Sequence, residues 1–286
     1  MGPVIPFVLA GLAVLLAWVA PGLMARQRRF RRAPRASLVA WQAVTLGGIL
    51  AALVAAPAAV PLFLDDATPV AEHPWWLLAA LVVSALVLGR VLWAGHNVGT
   101  VLRRMRSEQR QLVDIVAARE RDGRVHVVQH PTPTAYCIPG RGSRVVLSQG
   151  VLDALPEDQL DAVIAHEEAH LRGRHDLLLE FFSVAHAAVP RPLRSEAALA
   201  EVRLLVEALA DRAACRRSGE VATARALVAL AGSRTPEAAL GAGTTAPVRL
   251  RLLADGPAHR TLSAVAYAWA AVAGALPLAL LALAWS

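Results

Sequence analysis

The chain has 286 residues, of which 56% are hydrophobic and 18% charged, and its formal net charge is +7. Typical soluble domains contain about 45–50% apolar and about 25% charged residues, so this composition disfavours an ordinary soluble protein. All 29 basic residues are Arg, as is common in proteins of GC-rich bacteria. They cluster beside apolar segments, where anionic lipid is a simpler partner than nucleic acid, so we expect no direct nucleic-acid binding.

Four stretches are long and apolar enough to cross a bilayer, which takes about 20 residues. The first lacks a basic start and is too long for the apolar part of a signal peptide, so it predicts a membrane anchor. The seven Trp residues all fall in these stretches, and several lie near their ends, as an interfacial aromatic belt requires. The predicted transmembrane helices cover approximately residues 4–24, 38–64 and 75–94 within the segment 1–95, and the segment 261–286.

The distribution of charge predicts how these helices are oriented, because cytoplasmic loops are rich in Arg. The loop between the first two spans contains only Arg among its charged residues, whereas the loop between the second and third contains Asp65, Asp66 and Glu72. More Arg residues follow the third span, between positions 103 and 110. We therefore expect a multi-pass protein of the bacterial plasma membrane, with residues 96–260 in the cytoplasm and both termini outside.

Residues 96–260 hold most of the acidic residues and are long enough for a domain with its own core. Short β-branched runs alternate here with helical patterns, and Pro156 with the acidic pair Glu157 and Asp158 is typical of a helix start. The sequence predicts an α+β domain in the following order: a polar helix over 97–121, strands at 125–129, 135–138 and 144–148 with a hairpin turn at 139–142, helices over 156–172, 195–217 and 221–231, and a loop at 241–247.

The helix beginning at Pro156 carries the sequence His166-Glu-Glu-Ala-His170. Two His residues four positions apart lie on one helical face, about 6 Å from each other, so both rings can bind one Zn²⁺. Glu167 follows the first His, where its carboxylate can take a proton from a zinc-bound water and later pass it to a leaving amine. The motif therefore indicates a zinc-dependent hydrolase.

A catalytic zinc ion needs a third protein ligand, and the residues leave three candidates. Glu207 stands one helical turn before Asp211, so one carboxylate could bind the metal while the other orients a ligand imidazole. Asp176 completes a His-Glu-x-x-His-x-x-Gly-x-x-Asp pattern known from some metzincin-like enzymes. His175 lies one residue away from the usual metzincin position.

Several segments together resemble the BlaR/MecR-type membrane metallopeptidases and, more distantly, the HtpX-like and CAAX-processing peptidases. The resemblance covers roughly residues 125–253 and is strongest from 135 to 211. It is carried by Ala135–Gly140, Arg144–Gly150, Leu155–His170, Arg174–Asp176, the Glu-x-x-Ala-Asp run at 207–211 and, loosely, Pro247–Leu253.

The resemblance implies a zincin-like gluzincin domain whose zinc ligands are His166, His170 and Glu207. Glu167 would then be the catalytic base, and Asp211 would hold a ligand His. The resemblance also implies two substrate-contacting regions. The strand pair 135–148 would lie beside the cleft, so the edge at Ala135, Tyr136 and Cys137 could bind an extended peptide by β-addition. Arg251 falls at the position of a recurrent Arg and is a candidate oxyanion or substrate contact.

Three spans before the peptidase and one after it are the arrangement of the BlaR/MecR relatives. The chain stops after the fourth span, so we expect no extracellular penicillin-binding sensor domain. By analogy with these relatives, the expected substrate is a cytoplasmic protein, such as a BlaI/MecI-like winged-helix repressor. Two alternatives stay open: an HtpX-like quality-control protease, and a non-catalytic membrane receptor stabilised by zinc.

Overall fold

The computed structural model describes residues 4–64, 75–120, 125–140, 142–233, 245–256 and 260–286. The acidic loop with Asp65, Asp66 and Glu72, Arg141 of the predicted turn and most of the predicted loop at 241–247 lie outside these ranges. The chain forms two compact units. Unit 1 comprises residues 1–98, 182–202 and 258–286, and unit 2 comprises residues 99–181 and 203–257.

Unit 1 is built from long apolar helices. They are α1 (Ile5–Arg26, with a π-helical turn at Leu15–Val19), α2 (Pro34–Leu64), the first part of α3 (Trp75–Val116) and α10 (Arg260–Ala284), the last helix of the chain. Within the described residues, these four helices are long and apolar enough to cross a membrane. Each overlaps one of the sequence-predicted spans, within one or two residues at the ends of the first and last. Pro57, Pro61 and Pro277 lie inside α2 and α10, and proline is tolerated within transmembrane helices.

Small residues allow α2 and α10 to approach each other closely. A Cβ atom added at Gly47 would lie 2.2 Å from the backbone oxygen of Ala273, so a larger residue at Gly47 would force the helices apart. Close approach through small residues is a common way for helices to associate in membranes. Leu9 of α1 is buried in a neighbouring cluster with Val54 and Ala58 of α2.

Polar contacts join the 182–202 segment to the rest of unit 1. Arg31, in a 3-10 turn between α1 and α2 (Arg28–Arg32), donates two hydrogen bonds to the Glu201 carboxylate, at 2.7 and 2.5 Å. Arg90 of α3 donates from Nε to the Ala188 carbonyl at 2.7 Å. These bonds attach the segment to both the Arg-rich turn and α3.

Unit 2 contains a four-stranded sheet. Its strands are β1 (Ala117–Glu120), β2 (Val125–Val128), β3 (Ala135–Ile138) and β4 (Arg144–Ser148), in the order β1-β2-β4-β3. β1 is antiparallel to β2, β2 is parallel to β4, and β3 is antiparallel to β4. β3 is therefore at one edge of the sheet.

The alternation of side chains along β4 buries both faces of the sheet. Val145 and Leu147 belong to a core that includes Val151, Val163 and Ala226. On the opposite face, Val146 packs with Val113 and Ile138. The core under Val145 and Leu147 fixes the position of the helix that carries the His-Glu-x-x-His motif, because Val163 lies in that helix.

The remaining helices follow the strands. They are α4 (Gln149–Ala154), α5 (Glu157–Arg172), α6 (His175–Ala188), α7 (Glu196–Ser218), α8 (Glu220–Ser233) and α9 (Ala246–Ala254). Three of the four boundaries between the units fall within α3, α6 and α7, and the fourth lies between α9 and α10. α5, α7 and α8 match the predicted helices within two residues at each end.

The structure corrects several details of the predicted fold. The polar helix expected over 97–121 ends at Val116, and β1 follows it directly. Pro156 is the N-cap of α5 rather than its first helical residue. Ala246 and Pro247, expected in a loop, begin α9. α4 and α6 were not expected from the sequence.

Candidate metal centre

Helices α5 and α7 bring three potential metal ligands together. The Nε2 atoms of His166 and His170 are 3.1 Å apart, because the four-residue spacing places the two rings next to each other on one face of α5. Glu207 of α7 places Oε2 3.5 Å from His166 Nε2 and Oε1 3.5 Å from His170 Nε2. Within the described residues, this is the group of His, Cys and acidic side chains arranged to hold a metal ion.

The geometry of these atoms fits zinc. Bonds of about 2.0–2.2 Å in a tetrahedral site place the ligand atoms about 3.3–3.6 Å from one another, close to the separations of 3.1 and 3.5 Å. Two imidazoles and one carboxylate are also a donor set found in catalytic zinc sites, which keep the fourth position open. The Glu207 side chain is 31% exposed, so the cluster is accessible from solvent.

Asp211 and Arg249 form a buried ionic network behind this cluster. Asp211 Oδ1 lies 3.0 Å from His166 Nδ1, which is the contact that fixes the tautomer of a metal-binding imidazole. Arg249 donates two hydrogen bonds to Asp211, at 2.7 and 2.5 Å, and its Nη1 lies 2.9 Å from Glu207. One guanidinium therefore holds both Glu207 and Asp211.

Arg249 was not predicted from the sequence, which pointed to Arg251. The structure shows Arg251 exposed on the same helix, whereas Arg249 is the arginine that contacts Asp211 and Glu207. Arg249 lies three residues after Ala246 and three before Leu252, and all three are buried. This three-residue spacing of the buried face of α9 is the signal that could have distinguished the two arginines.

His175 contacts the second His of the motif rather than completing the ligand group. Its Nδ1 lies 3.1 Å from His170 Nδ1, and the residue is 7% exposed. A Cβ atom at Gly173 would lie 2.4 Å from His175 Nε2, so glycine leaves room for the ring. Asp176, the other alternative ligand, lies 3.6 Å from Arg106. Of the three candidates for the third ligand, Glu207 is the one that joins both histidines.

Glu167 faces the edge strand of the sheet. The Cys137 thiol of β3 is hydrogen-bonded to the Glu167 carboxylate. Burial raises the pKa of Cys137 well above its ordinary value, and the negative charge of Glu167 raises it further. The thiol is therefore protonated at neutral pH and donates to the carboxylate. Its neighbour Tyr136 is 38% exposed on this edge.

The two imidazoles differ in protonation when no metal is bound. Burial lowers the pKa of His166, but hydrogen bonds to Asp211 and Glu207 outweigh it and raise the pKa to about 10. Burial lowers the pKa of His170 to about 4, although the charge of Glu207 opposes this shift. At neutral pH the metal-free site therefore contains a charged His166 and a neutral His170.

Glu207 and Asp211 are ionised. Burial alone would raise their pKa values, but the hydrogen bond from His166 and the charge of Arg249 lower the pKa of Glu207. Hydrogen bonds from Arg249 and His166 likewise lower the pKa of Asp211. Both groups can therefore accept hydrogen bonds, or bind a cation, across the neutral range.

A His-Glu-x-x-His helix, a carboxylate from a later helix as the third ligand and an adjoining mixed sheet are the features of a zincin-like metallopeptidase domain. Comparison with known proteins places this domain more narrowly. Residues 102–239 match the model of Peptidase family M48, a family of zinc metallopeptidases, so this part of the chain is similar to M48 peptidase domains.

Short regions of the chain are similar to individual M48 proteins. One is the mitochondrial metalloendopeptidase OMA1 of Schizosaccharomyces pombe, 44% identical over 52 residues that cover 18% of this chain and 15% of that protein. Others are the protease HtpX homologs of Trichormus variabilis and of Nostoc, each 37% identical over 59 residues, or 16% of this chain and 20% of theirs. The matched regions thus span a fifth or less of these relatives. No solved structure gave a significant match.

Proposed function

We propose that this protein is a membrane-embedded, zinc-dependent endopeptidase that hydrolyses peptide bonds of a cytoplasmic protein. The observation that carries the proposal is the convergence of His166, His170 and Glu207 at zinc-binding distances, with Glu167 adjoining them. The M48 match supports the same class of activity.

Each residue of the site has a role in this mechanism. His166, His170 and Glu207 would hold zinc, which supplies a Lewis acid and lowers the pKa of water toward about 7. Glu167 accepts a proton from the attacking water and donates it to the nitrogen of the leaving amine. Asp211 and His175 accept hydrogen bonds from the Nδ1–H groups of the two ligand histidines, which leaves both Nε2 atoms free to bind the metal.

The edge of the sheet supports binding of an extended substrate. β3 pairs with β4 on one side, and its other side is not paired within the described part of the sheet. An extended peptide could add to this side as a further strand, with its backbone alongside Ala135, Tyr136 and Cys137. The Cys137 contact with Glu167 would bring such a peptide next to the catalytic base.

The apolar helices support a location in the membrane. Large apolar side chains of α3 such as Leu86, Leu92 and Trp93 are more than 60% exposed, which is costly in water and favourable in lipid. The Arg-rich turn at Arg28–Arg32 and the positive-inside tendency support an orientation with the peptidase in the bacterial cytoplasm and both chain termini outside.

Two physiological roles are compatible with this activity. The arrangement of predicted spans favours a signal transducer that cleaves a BlaI/MecI-like repressor at one site. The similarity to HtpX homologs favours a second role, the removal of damaged membrane proteins. The two roles differ in the number of substrates, because a transducer cuts one partner whereas a quality-control protease cuts many unfolded chains.

The catalytic proposal is tested by replacing Glu167 with Gln and Glu168 with Gln in the full-length, zinc-loaded protein. Glu168 is a matched control, because it pairs with Arg217 at 2.7 Å instead of contacting the metal group. Cleavage of casein should fall by about 10²–10⁴-fold in Glu167→Gln, the usual contribution of a catalytic acid–base, and little in Glu168→Gln. Both variants should bind one zinc ion by metal analysis.

Equal cleavage by the two variants would contradict the role of Glu167 as the catalytic base. Absence of casein cleavage by the zinc-loaded wild type would favour the zinc-stabilised receptor. The physiological role is tested in cells that produce wild type or Glu167→Gln, by comparing the new N-termini in the proteome. A single cleaved DNA-binding protein would support signalling, and many cleaved membrane proteins would support quality control.

A further inference from the structure

A small cavity of about 50 Å³ adjoins the proposed catalytic residues. His166 and Glu167 form one side of it. Apolar residues of α5 and α8 form most of the remaining wall, among them Val163, Ala226 and Leu230. Asp211 and Arg249 also line the cavity, whereas His170 and Glu207 do not, so it lies on the Glu167 side of the metal group.

The position of Glu167 decides which substrate residue would enter this cavity. On the proposed function, Glu167 gives its proton to the leaving amine. That amine belongs to the residue immediately after the scissile bond, so this residue must lie beside Glu167. The cavity next to Glu167 is therefore in place to receive the side chain of this residue.

The polar groups around the cavity are already paired. Arg249 contributes to the wall, but its guanidinium is hydrogen-bonded to Asp211 and lies 2.9 Å from Glu207. The Thr223 hydroxyl donates to the Gly219 carbonyl at 2.8 Å. A carboxylate entering the cavity would lose its hydration without gaining a free cation, which disfavours acidic side chains.

The volume of the cavity restricts the size of the side chain. An engineered apolar cavity of about 150 Å³ is large enough for benzene, three times the volume available here. An aromatic ring would therefore require the walls to move, whereas a methyl or isopropyl group would fit. Ala226, which is 3% exposed, limits the depth between α5 and α8.

We propose that this cavity is a specificity pocket for a small aliphatic side chain, of alanine to valine size, on the residue that follows the scissile bond. The pocket deepens the proposed function, since it defines the sequence at which the peptidase cuts. Differences of one methylene in such a pocket change kcat/KM by about 10–200-fold, so the preference should be measurable.

The experiment profiles cut sites with the full-length, zinc-loaded protein in detergent, using a peptide library prepared from a digested proteome. Mass spectrometry identifies the residue after each cut. In wild type, Ala and Val should be enriched at this position at least about tenfold over Phe and Asp. Cut sites without this enrichment, or with Phe or Asp preferred, would contradict the proposed specificity of the pocket.

Two variants test the walls. Leu230→Ala enlarges the cavity and should admit Leu and Phe, whereas Ala226→Leu fills it and should restrict cleavage to sites followed by Gly or Ala. Val228→Leu is the control, because Val228 lies on the same helix and is 56% exposed. It should leave the profile unchanged.

Thermal unfolding of each variant shows whether it is folded, and Leu230→Ala keeps the test decisive if Ala226→Leu is not. An unchanged profile in folded Leu230→Ala would also overturn the pocket. If casein and the whole library remain uncut by wild type, the proposed function fails. Cleavage that depends on Glu167 without the expected profile rejects the pocket alone.

Discussion

Unit 1 exposes large apolar side chains, whereas unit 2, which contains the candidate metal site, buries charged ones. Along α3, Leu92 and Trp93 are 63% and 70% exposed, although both are strongly hydrophobic. In unit 2, the charged side chains of Asp211 and Arg249 are 2% and 5% exposed. Exposed apolar side chains need lipid or a partner, and buried charges need each other. Unit 1 is therefore suited to a membrane, and unit 2 is suited to hold the candidate metal site.

The largest effect should be a loss of stability in Asp211→Asn, which removes one charge from the buried network of unit 2. Arg249 and His166 would lose their ionised partner, and breaking a buried ion pair costs about 3–5 kcal/mol. Chemical denaturation of the metal-free protein should show this loss. Asp153→Asn, an exposed carboxylate bonded to Gln149, is the control and should change stability by less than about 0.5 kcal/mol. Equal losses of stability in the two variants would mean that the buried network does not stabilise the fold.

A charge placed on the exposed apolar surface should have the next largest effect. Val83, 56% exposed in α3, would face hydrocarbon if the helix crosses the membrane. Val83→Arg should therefore disfavour insertion of α3 by about 2.5–3.5 kcal/mol, and an insertion assay with glycosylation acceptor sites on either side of α3 should show a smaller inserted fraction. Gln111→Arg in the same helix is the matched control, since Gln111 is exposed beyond the apolar part. If α3 inserts equally in both variants, it does not cross the bilayer at Val83.

A smaller effect is expected from His175→Ala. Loss of the contact with His170 Nδ1 should lower the affinity for zinc about tenfold, the lower end of the range for residues that orient a metal ligand. Competition with a chelator measures this change. His175→Asn should restore part of the affinity because its amide oxygen can accept the same hydrogen bond, whereas Ala at the exposed His130 should have no effect. Wild-type affinity in His175→Ala would show that the contact is merely structural.

Local sequence patterns were sufficient to place most of unit 2. β3 and β4 begin and end at the predicted residues, because β-branched runs interrupted by Pro139 and Gly140 leave few other registers. The four-residue spacing of His166 and His170 placed both rings on one face of α5 in the same way. These features depend on neighbours along the chain, so a single sequence contains enough information.

Features that depend on distant packing were harder to predict. His175 reaches His170 only because Gly173 allows the ring to fold back against α5. The choice of Arg249 over Arg251 depends on which face of α9 is buried, which is decided by the rest of unit 2. β1 has no recognisable pattern, since it follows a polar helix without a break and its strand conformation comes from pairing with β2.

The charges around the metal group have a consequence for how the site is filled. Within the described residues, Arg249 contacts Glu207 and Asp211, and together with Glu167 these carboxylates leave an excess of two negative charges for a divalent ion to neutralise. Without metal, a proton on His166 offsets part of this excess, because the pKa of His166 is raised to about 10. Filling the site at pH 7–8 should therefore be an exchange that releases about one proton for each zinc taken up. Calorimetry in buffers of different ionisation enthalpy would measure the number of protons released. A value of zero would mean that His166 is not protonated in the metal-free protein.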